Sequence, residues 1–182
     1  MTELTPPPAD VVDLMIQMTR LDWPTTEADR LRYFDALGLH DEETLPPRDD
    51  EPDSTRIRFA TSLPGVGGNC AMFRDEVLGL SLFCYHEPPV EHSPEARAGF
   101  TALRDQLNQY LGLPVEEWGT STEPACLWRS GPLSIEMYCF QRLRSGVMVG
   151  PSHTERSAAN DAAHDAYHSG PDRDRPSGLT AR

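Results

Sequence analysis

Apolar positions in the first forty residues recur every three to four places. In residues 9–21, ADVVDLMIQMTRL, they fall at Val11, Val12, Met15, Met18 and Leu21, the spacing of a helix with one buried stripe. Trp23-Pro24 ends it. A second helix is expected to begin at Thr25 or Thr26, since either hydroxyl can cap the free N–H groups. Ala28, Leu31, Phe34 and Leu37 mark its apolar face, and Gly38 is placed to close it in a left-handed turn. The two read as a helical hairpin. Residues 40–54, HDEETLPPRDDEPDS, break the period, and their seven acids and three prolines predict an exposed linker.

From residue 55 the period becomes two. Ile57, Phe59 and Thr61 alternate with Arg56, Arg58 and Ala60, CAMFRD follows at 70–75, and VLGLSLFCYHE at 77–87. These predict a three-stranded meander whose short connections imply antiparallel pairing. Ser93 caps the next helix and Pro94 occupies its first position, where a missing N–H costs nothing. Ala96, Phe100, Leu103, Leu107 and Tyr110 or Leu111 carry that helix to 111, and Gly112 and Pro114 stop it. ACLWRSG, LSIEMYCFQ and SGVMVGP then predict three more strands, with turns at Ser130-Gly131-Pro132 and Arg144-Ser145-Gly146. A final alanine-rich helix spans about 153–168, and the polar tail 169–182 is expected to be disordered. The fold class is therefore α+β, a single domain over 1–168 in the order α-α-β-β-β-α-β-β-β-α. An antiparallel sheet of about six strands, two three-stranded meanders, would carry helices on one face, with the N-terminal hairpin covering an end.

Charge narrows the partners. The 182-residue chain has 25% charged residues, no lysine among its 16 basic residues, and a formal net charge of −13. Phosphate-rich nucleic acid would be repelled, whereas a basic protein would be attracted. Residues 1–10 lack the basic start and apolar run of a secretion signal, and no apolar run approaches the ~20 residues of a membrane span. A cytoplasmic protein without membrane contact is expected, with Cys70, Cys84, Cys126 and Cys139 reduced. Since no two form C-x-x-C, they read as small buried strand residues.

Candidate chemistry is sparse. Gly65, Gly67 and Gly68 in LPGVGGNC invite a phosphate-loop reading, but no lysine and no following helix support it. A hairpin connection using their positive φ angles is expected instead. His164 and His168 stand four apart on a helix, yet the glutamate of H-E-x-x-H is missing and a solvated helix end is favoured. His86 and His92 flank Glu87 and Glu91 around Pro88-Pro89 in what reads as an exposed loop. No G-x-S-x-G occurs. No catalytic residue, metal site or cofactor is assigned. Trp128 alternates with Cys126 and reads as core. Trp118 lies among Glu116, Glu117 and Glu123, where it would either anchor an interface or tuck against the sheet edge.

Leu21-Asp22-Trp23 with Asp29, Leu31, Leu37 and Gly38, then Leu111-Gly112-Leu113-Pro114, Trp128 and the Ile135 strand, make the chain similar over about 9–168 to an uncharacterised actinobacterial domain family. Small acidic α+β proteins of this kind resemble immunity proteins encoded beside polymorphic toxins. That resemblance implies a non-enzymatic inhibitor that binds a cognate toxin domain. The partner-binding residues expected are Asp41, Glu42, Glu43, Asp49, Asp50 and Glu51, with Glu116, Glu117 and Trp118. An acidic secretion chaperone, a homodimer holding an extended segment of a secreted client, is the alternative, and a small-ligand-binding protein or enzyme using a sheet–helix pocket near His86 is the third reading. Reversing the charges of Asp49, Asp50 and Glu51 is expected to slow association with a basic partner and flatten its salt dependence. Stopped-flow association across ionic strength measures this, and unchanged on-rates would remove these residues from the contact.

Overall fold

Short turns leave no length for crossover connections, so strands adjacent in sequence pair antiparallel. The computed structural model describes residues 3–47, 53–87, 91–141 and 145–168. Two helices, α1 (Pro8–Arg20) and α2 (Glu27–Leu37), lead into four strands, β1 (His40–Leu45), β2 (Ser54–Ala60), β3 (Gly67–Phe73) and β4 (Glu76–Glu87). Helix α3 (Pro94–Leu111) then precedes β5 (Glu116–Gly119), β6 (Pro124–Ser130), β7 (Leu133–Phe140) and β8 (Ser145–His153), and α4 (Thr154–His168) follows. All eight strands form one antiparallel sheet in the order β1-β2-β3-β4-β8-β7-β6-β5. Each half is a four-stranded meander, with its first strand at an edge and its fourth at the central β4–β8 seam.

The fold class is α+β as expected, but the sheet has eight strands rather than about six. The additions are its two edges. β1 occupies the first part of the expected acidic linker, and β5 takes EEWG. Neither shows buried alternation, because almost every side chain on them is exposed. Carboxylates on such edges repel a further strand and so protect unpaired backbone groups.

Helices α1, α2 and α3 pack on one face. There Ile57, Phe59, Cys70, Leu80, Leu82, Val147, Val149, Ile135, Met137 and Trp128 meet Val11, Met15, Met18, Phe34, Phe100, Leu103 and Leu107. The α3 stripe is the predicted one, with Ser93 Oγ accepting from Ala96 N at 3.2 Å. Trp128 is fully buried, and its indole N–H donates to Asn108 Oδ1 and the Gly112 carbonyl, both at 3.1 Å, which pins the C-terminal end of α3 to β6. α1 lies beside α3 and against the central β8, while α2 reaches the β1 edge through Arg30 and Asp41, so the hairpin as a whole does not cap one end of the sheet, a correction to the expected arrangement. α4 crosses another end, where Arg156 donates to the carbonyls of Pro24 (2.8 Å) and Val77 (3.0 Å) and Ser54 donates to Asn160 Oδ1 (3.1 Å).

The α2 register differs from its apolar pattern. Ala28 and Leu31 face solvent, and Arg30, Tyr33, Phe34 and Leu37 face inward. Arg30 decides this. Its buried guanidinium lies over the Phe34 ring, 4.8 Å from the centroid, and forks to both oxygens of Asp41 at 2.8 Å and to Glu27 at 2.6 and 2.8 Å. A buried cation is tolerated only when paired in this way. Thr26 caps the helix reciprocally with Asp29, and hydrogen bonds from Thr26 and Thr25 lower the Asp29 carboxyl to about 2. A lowered carboxyl stabilises fully above its ordinary value of 3.8, and that contribution is lost progressively as pH falls from there through about 2.

Of the three glycines at 65–68, Gly65 alone has the positive φ expected of a turn residue, at 71°. Gly67 and Gly68 are strand residues of β3, a second correction. A Cβ on Gly68 would lie 2.2 Å from the Phe59 ring and 2.5 Å from the Ser81 carbonyl oxygen, so packing excludes one. A Cβ on Gly67 would meet only the Phe59 carbonyl oxygen, at an ordinary 3.5 Å. At the seam, a Cβ on Gly150 would fall 1.8 Å from the Leu80 carbonyl oxygen. Gly150→Ala is therefore expected to cost at least ~3 kcal/mol, beyond ordinary overpacking, while Gly67→Ala stays within about 0.5 kcal/mol of wild type. Urea unfolding of both variants measures the contrast, and equal midpoints would contradict the seam geometry.

Candidate protein-binding face

Strand pleating sends alternate side chains to the face opposite α1, α2 and α3. Cross-strand register aligns Phe83 of β4 with Met148 of β8, Met148 with Tyr138 of β7, Tyr138 with Ala125 of β6, and Ala125 with Trp118 of β5. One apolar row thus crosses five strands. Trp118 meets Tyr138 edge-on, ring centroids 5.5 Å apart at 80°, and Tyr138 stacks with Phe140 at 6.1 Å and 14°. Phe83, Trp118 and Phe140 remain 37%, 38% and 41% exposed, large fractions for aromatic side chains already touching neighbours. Tyr138 donates its hydroxyl to Glu136 Oε2 at 2.7 Å, and burial together with that carboxylate raises its phenol above the ordinary range.

Polar residues border this row. Glu136 aligns with Leu127, and Leu127 with Glu116, so two carboxylates flank the aromatic end. Toward β1, Glu43 aligns with Arg58 and Arg58 with Asn69, and Glu43 Oε2 lies 3.0 Å from the Arg58 guanidinium. At the same end Gly67 of β3, beside Phe83 of β4, and Gly146 of β8, beside Phe140 of β7, line a groove of about 490 Å³ together with Arg58, Glu42, Asn69 and His86.

The residues expected to bind a partner separate into several environments. Asp41 lies on the helix side and is held by Arg30. Glu42 stands at the irregularity of β1 between Asp41 and Glu43 and faces the groove. Glu43 pairs with Arg58. Asp49, Asp50 and Glu51 lie outside the described residues. Glu117 accepts from Cys126 Sγ at 3.8 Å and lies 3.9 Å from Arg104, whereas Glu116 and Trp118 point to the outer face. The β1 and β5 groups occupy opposite sheet edges, seven strand spacings or roughly 33 Å apart. The structure does not gather them into one patch. Phe83, Tyr138, Phe140 and Met148 escaped the sequence reading, although LSIEMYCFQ carries apolar residues at both strand parities from Met137 to Phe140. That was the available signal.

Other candidate chemistry stays dispersed. His86 lines the groove, and the His92 backbone N–H donates to the Gln141 carbonyl at 3.1 Å. The Glu87 side chain and Pro88-Pro89 lie outside what the structure describes. His164 is on α4, and the His168 side chain is not described. Among the described residues, no three His, Cys, Asp or Glu side chains converge as metal ligands, and no helix is long and apolar enough to cross a membrane. Comparisons with protein-family models, with curated proteins and with solved structures each returned no match.

The four cysteines are free and buried on the helix side of the sheet. Burial pushes the Cys70 and Cys84 thiols up to about 12, and burial with the nearby Glu117 charge pushes Cys126 to about 11. A raised thiol is protonated and unreactive at neutral pH. Native protein at pH 8 is expected to react with an aromatic disulfide reagent in less than one equivalent, and unfolded protein in all four. Fast labelling of a native cysteine would show that one of these thiols is accessible and activated.

Proposed function

We propose that the protein is a non-enzymatic binding protein of the immunity-inhibitor type, acting in the cytoplasm on a basic folded toxin domain. The observation that carries this reading is the aromatic row with its bordering carboxylates on the sheet face opposite α1, α2 and α3. Partly exposed aromatic anchors suit a protein interface, where Trp and Tyr contribute disproportionately. Glu116 and Glu136 beside them, together with the net charge of −13, favour a basic partner and speed its encounter.

Affinity capture from source cells followed by a growth assay tests the proposal. One basic domain should be retained near stoichiometry, arrest growth when expressed alone, and be neutralised by co-expression of this chain. Trp118→Ser and Tyr138→Ser should each weaken binding ~10-fold or more, and the on-rate should fall steeply between low and high salt. A captured segment held in extended form, without growth arrest, would instead favour the secretion-chaperone function. Capture unaffected by both substitutions would place the interface elsewhere.

A further inference from the structure

We propose that the glycine-floored groove beside the aromatic row is an anchor site for an arginine side chain of the partner, a deepening that rests on the protein-binding reading above. The first support is Gly67. A strand glycine sacrifices stability, and an internal one commonly marks a place where something approaches the backbone closely. Gly68 and Gly150 are explained by the atoms a Cβ would strike, but Gly67 has room for one. The fold alone therefore does not require the bare backbone there. Gly146 lines the same groove from β8, across β4 from Gly67, and a Cβ there would meet His86 Nδ1 at 3.3 Å and the Cys84 carbonyl oxygen at 3.4 Å.

The walls and rim supply the second support. Phe83 and Phe140 stand on either side of β8, both more than a third exposed and both lining the groove, so each offers ring surface to a flat group beside Gly146. A guanidinium is planar, weakly hydrated and attracted to aromatic faces. Of the charged residues described around the groove, Arg58 is already compensated by Glu43 at 3.0 Å. Glu42 faces the groove, and no ion pair to a basic side chain engages it among the described residues. The groove volume of about 490 Å³ accommodates an arginine together with the peptide groups that bear it. An anionic ligand would meet Glu42 and the overall charge of −13.

The test uses the full chain and a capped tripeptide, acetyl-Gly-Arg-Gly-amide, without any protein partner. Amide chemical shifts of Gly67, Asn69 and Gly146 are expected to move saturably in the millimolar range. The citrulline analogue, equal in shape but uncharged, should bind about tenfold more weakly, and Glu42→Gln should produce a loss of the same order. Gly67→Val fills the groove and should abolish the shifts while thermal unfolding remains cooperative. Should that variant fail to fold, Phe83→Ser serves in its place, with a loss of at least about fivefold expected. Absent shifts, equal binding of arginine and citrulline, or binding that survives the blocked groove would each overturn the assignment. Because no partner is present, these results are separable from the toxin-binding proposal: peptide binding without a neutralised toxin leaves the site standing, and a neutralised toxin without peptide binding removes the site alone.

Discussion

The β4–β8 seam is the constraint on which the sheet depends. Two meanders, each with an acidic strand at its outer edge, become one eight-stranded surface because β8 approaches β4 closely enough to exclude any side chain at Gly150. The same pairing places Leu82 against Val149 and Cys84 against Val147 on the buried face, and Phe83 against Met148 on the other. Core and outer row are consequently set by one register. A slip of β4 by a single residue would exchange its two faces, burying Phe83 and exposing Leu82 and Cys84.

Helix α2 illustrates a different balance. Its apolar pattern nominated Leu31, but a rotation that buried Leu31 would have pulled Arg30 away from Asp41. Burying a leucine contributes about 1.5–3 kcal/mol. The alternative observed here keeps an arginine satisfied by two carboxylates and an aromatic ring and ties the helix to the edge strand. The charged contact takes precedence over the apolar one, and Asp41 becomes a structural acid in the process.

Much of the fold was legible from periodicity. α1, α3, β2, β4, β6, β7 and β8 follow from it, and Ser93 and Thr26 announced the helix starts through their hydroxyls. What periodicity cannot see is a strand with nothing buried. His40–Leu45 and Glu116–Gly119 are held by backbone pairing at the sheet edges, so their sequences report solvent rather than secondary structure. The outer aromatic row was hidden for a related reason. Phe83, Met148, Tyr138 and Trp118 come from four strands spread over 66 positions of sequence, and only the register brings them into line. Trp118 was visible alone because its acidic neighbours made it conspicuous.

The strand order also has a consequence in time. During synthesis, β1 through β4 are complete before any of residues 88–145 exist, and at about 5–20 residues per second β4 waits several seconds for its partner. Through that interval it is the open edge of the nascent meander, and it carries Val77, Leu78, Leu80, Leu82, Phe83 and Cys84 with no charge among them. The mature sheet displays acidic strands at both borders, whereas the growing one displays its most apolar strand. The ribosome-bound intermediate, rather than the finished molecule, is thus the form most exposed to intermolecular strand pairing. The helix α3 that emerges in between can shelter one face of β4 but leaves its hydrogen-bonding edge to β8.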